Sequence, residues 1–131
     1  MAAKTVNVGL VGSKFMGKAH SNAYLKVAKF FDVEPKPVMK AVCGRHADEL
    51  AEFAARFGWE SHETEWKKLV ARKDIDVVDI ASPGHTHHEI AVAAANAGKH
   101  VYCEKPLAFN LKDAREMLDA ARKAKVVHMV N

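Results

Sequence analysis

Glycines, basic side chains and histidines recur at chemically telling spacings in this sequence. In Gly9-Leu10-Val11-Gly12-Ser13-Lys14-Phe15-Met16-Gly17, Gly12 allows a tight turn out of a strand and Gly17 allows a following helix to pack closely on that strand. The helix start offers free N–H groups and a partial positive charge, which suit the pyrophosphate of a dinucleotide. The usual middle glycine of such a loop is Lys14 here. Its side chain either crowds the ligand or turns outward and lends its ammonium to the phosphates. The competing reading is a turn that is glycine-rich for structural reasons alone.

Three more clusters follow. Cys43-Gly44-Arg45-His46 carries no acid until Asp48, so a ribose 2′-hydroxyl finds no carboxylate at the corner where dinucleotide folds usually place one. The Arg45 guanidinium suits a 2′-phosphate and can stack on adenine; the alternative is a solvated arginine at a helix start. Ser82-Pro83-Gly84-His85-Thr86-His87-His88 holds three imidazoles, but a structural zinc wants about four ligands with cysteine or acid help, so no metal is expected. A ligand-lining loop and plain helix capping are the two remaining readings. In Glu104-Lys105-Pro106, Lys105 can donate a proton or hydrogen-bond a substrate hydroxyl if its surroundings tune it, and is otherwise part of a solvated turn.

These clusters fall between elements that alternate. Strands are predicted over residues 5–11, 38–43, 75–81, 100–103 and 126–130, with a short edge strand near 59–61. Helices are predicted over 15–30, where apolar residues fall near helical spacing, and over 47–57, 86–97 and 110–123, with Asn110 as N-cap. A short helix through Ala71 is capped by Thr64 and turns Trp66, Leu69 and Val70 inward. Prolines 35 and 37 break the chain between the first helix and second strand. Such alternation, with strands too apolar for a wet face, predicts an α/β fold: a doubly wound parallel Rossmann sheet with helices on both sides. In the strand order 3-2-1-4-5-6, Cys43 and Cys103 stand three strands apart, about 14 Å, and stay separate thiols because a disulfide needs Cα atoms within about 7 Å.

Composition agrees with one domain over 1–131. The chain is 49% hydrophobic, 8% aromatic and 27% charged, which excludes disordered and collagen-like classes. Twenty Lys+Arg against 16 Asp+Glu give +4, but the basic residues are scattered, so no nucleic-acid partner is expected. No apolar run approaches the roughly 20 residues of a membrane span. The start, Met1-Ala2-Ala3-Lys4, lacks the parts of a secretory leader, and two cysteines alone fit a reducing compartment; a cytoplasmic location is the expectation.

Taken together, VNVGLVGSKFMGKAHSNAY and DIDVVDIASPGHTHHEIAVAAANAGKHVYCEKPLA, in that order, resemble the N-terminal half of the Gfo/Idh/MocA oxidoreductases, the glucose-fructose oxidoreductase and inositol dehydrogenase family. The resemblance implies that Gly12, Ser13, Lys14, Phe15 and Met16 contact the cofactor phosphates and Arg45 the adenosine end. It implies that Ser82, Pro83 and His87 line the nicotinamide side, and that Glu104 and Lys105 sit beside the reacting carbon, Lys105 being the catalytic lysine that recurs there. Hydride transfer between NAD or NADP and a sugar, polyol or related hydroxyl is the implied activity, with NADP preferred on the strength of Arg45. Family members continue into a substrate domain that this chain lacks, so the chain alone is expected to be inactive. A stand-alone NAD(P)-binding or sensor module is the alternative.

Overall fold

The computed structural model describes residues 4–131; residues 1–3, on which the expectation about a leader and the first part of the 1–131 domain rest, lie outside it. Six strands, β1 (Thr5–Val11), β2 (Lys36–Cys43), β3 (Ser61–Glu63), β4 (Val77–Ile80), β5 (His100–Cys103) and β6 (His128–Val130), form one sheet in the order β3-β2-β1-β4-β5-β6. Every neighbouring pair is parallel. Parallel pairing requires a crossover after each strand. The crossovers are α1 (Phe15–Phe30), α2 (Ala47–Phe57), α3 (Trp66–Ala71), α4 (His87–Asn96) and α5 (Leu111–Ala124). The winding reverses between β1 and β4, which opens a crevice at the C-terminal edge of those strands.

Strand alternation assigns residues to two faces. Val11, Ala41, Cys43, Val78, Ile80, Val101 and Cys103 pack with Leu69 and Val70 of α3, Ile90 and Ala94 of α4, and Met117 of α5. Val8, Leu10, Met39 and Val42 pack on the other face with Leu50, Phe53 and Ala54 of α2, and with Tyr24 of α1 at the margin. Cys43 and Cys103 are free, on strands separated by β1 and β4, and burial pushes both thiols up to about 12. Among the described residues no helix is long and apolar enough to cross a membrane.

Several boundaries differ from the sequence reading for local reasons. β2 begins at Lys36, because the Lys36 N–H already bonds to Lys4 O at 2.9 Å, so Pro37 sits inside the strand rather than in the loop before it. The edge strand lies at Ser61–Glu63, set by pairing with Ala41 to Cys43, and not at 59–61; Trp59 is instead buried, its indole N–H donating to Ser21 Oγ. Glu65, not Thr64, occupies the N-cap of α3, and Trp66 is only half-buried. The fourth strand is Val77–Ile80, shorter than the predicted 75–81. A 3-10 turn, Gly84–Thr86, precedes α4. The largest difference concerns α1. Its buried side is Gly17, His20 and Ser21, while Phe15, Leu25 and Phe30 face outward.

Candidate functional site

The turn after β1 is held by backbone. Gly12 has φ +116°, and its N–H donates to Cys43 O at 2.9 Å. A Cβ there would lie 2.6 Å from the Ala81 carbonyl, and one on Gly17 would lie 2.1 Å from Gly12 O. Only glycine fits at either place. The end of β2 closes on the same turn, since a Cβ on Gly44 would meet Ser13 Oγ at 2.8 Å.

α1 begins beyond this turn with no side-chain cap on Lys14 and no acid in its first turn. The bond from Lys18 N–H to Lys14 O, 3.0 Å, is the first of the helix, so the N–H groups of Phe15, Met16 and Gly17 precede the intrahelical ladder. The Lys14 ammonium turns across the mouth of the turn to Glu49 of α2, 2.9 Å away, and both side chains are exposed. That hydrogen bond holds the Glu49 carboxyl below the usual carboxylate range.

A cleft of about 420 Å³ opens over the turn. Gly12, Ser13 and Lys14 line one side, Arg45 the end of β2, and Ser82 and Pro83 the end of β4. These six sequence-predicted residues therefore share one cavity. The others stand around it: Phe15 is 80% exposed and faces outward, Met16 is half-buried, and His87, Glu104 and Lys105 do not line the cleft. A pyrophosphate suits the donor set, because the helix start is uncapped, lacks acids and meets a glycine turn that lets backbone approach closely.

The Ser82 turn is knitted by its own hydroxyls. Thr86 Oγ1 donates to Pro83 O at 2.7 Å and accepts from Ser82 Oγ at 2.7 Å. His87 is 1% exposed, with Nε2 2.9 Å from Ser82 O and Nδ1 3.0 Å from Pro106 O. Its ring thus spans the turns that follow β4 and β5. Of the three imidazoles, His88 alone joins a set of potential metal ligands, with Asp113 and Glu116 on α5; none of the three lines the cleft, Glu116 already pairs with His88 and Lys112, and Asp113 is bonded to Asn110.

A buried polar cluster lies behind Lys105, and sequence reasoning missed it. Asp79 of β4 is 0% exposed in a strand that otherwise reads apolar. It meets Nδ1 of His20 at 2.8 Å and accepts from Tyr24 OH at 2.7 Å. His20 Nε2 reaches Glu104 Oε1 at 2.7 Å. Two signals in the sequence mark this cluster. Gly17, His20, Ser21 and Tyr24 follow i, i+3, i+4, i+7 spacing, a polar helix stripe. Asp79 and Tyr102 are register partners, and alternation puts Glu104 on the same face.

The family model described as the oxidoreductase family, NAD-binding Rossmann fold, matches residues 6–131. Levoglucosan dehydrogenase of Pseudarthrobacter phenanthrenivorans is 48% identical over 128 residues, which cover 97% of this chain and 33% of that protein. Myo-inositol 2-dehydrogenase of Thermotoga maritima is 30% identical, with 93% of this chain and 34% of that protein covered. Among solved structures, a levoglucosan dehydrogenase complex with NADH superposes with a TM-score of 0.92 over 97% of this chain and 34% of that one, at 48% identity. An oxidoreductase domain protein from Kribbella flavida gives 0.93 at 43% identity, covering 97% and 35%. The chain therefore spans about a third of the length of the curated relatives it matches.

Proposed function

The chain belongs to the Gfo/Idh/MocA oxidoreductase family as its NAD-binding Rossmann domain, and from that premise we propose that it is the cofactor-holding part of a dehydrogenase acting on a sugar, polyol or related hydroxyl. The observation that carries the reading is the cleft that gathers Gly12, Ser13, Lys14, Arg45, Ser82 and Pro83 at the point where the sheet reverses its winding. A bound nicotinamide dinucleotide supplies the hydride acceptor. The chain's own residues bind and orient it. Backbone N–H groups from Ser13 to Met16 hold the pyrophosphate, Gly12 lets the backbone approach it closely while its own N–H stays on Cys43 O, Arg45 holds the adenosine end, and Ser82, Pro83, His87 and Glu104 shape the nicotinamide side. Lys105, exposed on the turn after β5, exchanges a proton with the substrate hydroxyl at its Nζ. Two unpaired buried cysteines support a reducing, cytoplasmic setting.

NADP(H) is the preferred cofactor in this reading. Arg45 stands on the cleft wall with Gly44 before it and no carboxylate between Cys43 and Asp48. Charge-assisted hydrogen bonds to a 2′-phosphate are worth roughly 1.5 to 3 kcal/mol, or about tenfold or more in affinity. The competing reading, NAD(H) preference, is favoured by the relative whose structure holds NADH. Calorimetric titration of wild type and Arg45→Ala with both reduced cofactors decides between them. The expected result is tighter NADPH binding that collapses toward the NADH value in the variant. Equal or reversed wild-type affinities overturn the preference, and no binding of either cofactor overturns the domain's role. With about a third of the relatives' length present, the chain alone is expected to turn over no sugar or polyol; saturable NAD(P) reduction by the purified chain would show otherwise.

A further inference from the structure

Glu104 and Asp79 both lie against α1, and the residue between them is His20. The His20 ring stacks on Tyr102 of β5, centroids 5.5 Å apart and planes 24° from parallel. Its Nδ1 lies 2.9 and 2.8 Å from the two Asp79 oxygens, and its Nε2 lies 2.7 Å from Glu104 Oε1. An ionised carboxylate only accepts, so donating to both partners takes both ring protons. The hydrogen bond with Asp79 raises His20, burial opposes it, and Glu104 adds to the rise, for a net value of about 9. Burial pushes Glu104 up, but hydrogen bonds from His20, Asn131 and the Lys105 N–H outweigh it and hold the carboxyl below its usual range. The remaining Glu104 oxygen, Oε2, accepts the Lys105 backbone N–H at 3.1 Å.

Buried ion pairs contribute little net stability compared with well-packed apolar side chains, because desolvation offsets the attraction. What they supply is a defined geometry, and here the geometry ends on the Lys105 turn. We propose that His20 is a positioning residue for Lys105: by holding the Glu104 carboxylate, it sets the backbone that carries the Lys105 ammonium toward the nicotinamide end of a bound cofactor. This rests on the reading of Lys105 given above. His20 also stands three residues past Gly17 on α1, so the same contact locks the Lys105 turn to the helix that opens the phosphate turn.

The titratable groups around His20 are Asp79 from β4, Tyr102 from β5, Glu104 beyond it, and Tyr24 one turn along α1, whose hydroxyl donates to Asp79. Tyr24 and Tyr102 are both pushed up by burial, so neither competes near neutrality. The test is ¹⁵N NMR of the whole chain. In wild type, both His20 ring nitrogens should carry protons at neutral pH, and the Lys105 amide should shift with the same midpoint, near 9, while the Lys99 amide does not. In His20→Gln, whose donors sit on one amide nitrogen that reaches one carboxylate only, the Lys105 amide should move and lose that pH response. A Lys105 amide that stays flat while His20 titrates in wild type overturns the proposal, and that measurement holds even if the variant fails to fold. NADH and NADPH titrations of the same samples separate the two readings. A chain that binds neither cofactor but keeps the coupling loses the cofactor reading alone; one that binds cofactor with an uncoupled Lys105 amide loses the role of His20 alone.

Discussion

α1 and α5 begin in opposite ways. At the start of α5, the Asn110 side chain accepts from the Asp113 N–H at 2.8 Å and donates to the Asp113 carboxylate at 2.9 Å. Asp113 complements the positive end of the helix, Arg122 and Lys123 complement the other, and Met117 and Ala121 face the core. The cap and the end charges of α5 are supplied by neighbours in sequence. α1 has no side-chain cap, no acid in its first turn, and a buried side made of Gly17, His20 and Ser21. It is held instead by contacts with β4, β5 and the turn before it. A helix start left unsatisfied by its own sequence, in a place where backbone is tightly fixed, leaves its N–H groups for a ligand.

The sharpest way to break the contrast is at Gly17. With a Cβ 2.1 Å from Gly12 O, Gly17→Ala should cost about 3 kcal/mol or more by urea unfolding and abolish cofactor binding, since the clash is with backbone that cannot turn away. An alanine variant of near wild-type stability would mean that the turn is not the constraint. The next effect in size depends on pH. The folded pKa of His20, about 9, lies above its ordinary 6.5, so its contribution is complete below pH 6.5 and is lost as pH rises through about 9. At 1.36 kcal/mol per pKa unit, this is on the order of 3 kcal/mol at most. Urea midpoints of wild type should fall over that window, and His20→Gln should flatten the slope; parallel slopes would contradict the cluster.

α5 should answer more mildly. Asn110→Ala removes one local cap and is expected to cost about 1 kcal/mol with cofactor affinity unchanged. A change in affinity would tie α5 to the site after all. The smallest effect belongs to the pair across the mouth of the turn. Glu49→Gln frees Lys14 without disturbing packing, so the melting temperature should hold while both cofactors bind tighter by the same factor, about twofold. A change in the NADPH to NADH ratio would show that Lys14 reads the ribose rather than the shared pyrophosphate.

Residues near one another in sequence determined a good deal here. Gly12 and Gly17, the Asn110 cap, the Gly58 stop of α2 in its left-handed conformation and the alternation of strand and helix all report on local backbone, and they led to the doubly wound sheet with Cys43 and Cys103 apart. The ends of short elements were less legible, because β3 is placed by its partner residues Ala41 to Cys43 and α3 has no side chain capping it. What the tertiary structure decided was the meaning of polar residues in apolar company. Asp79 sits in an apolar strand and His20 on a helix whose outward phenylalanines suggest the opposite orientation; their attraction acts between residues 59 apart in the chain. A charge buried in a low-dielectric interior is tolerable only beside its counter-charge, so β4, β5 and α1 must come together before His20, Asp79 and Glu104 can be read as one group.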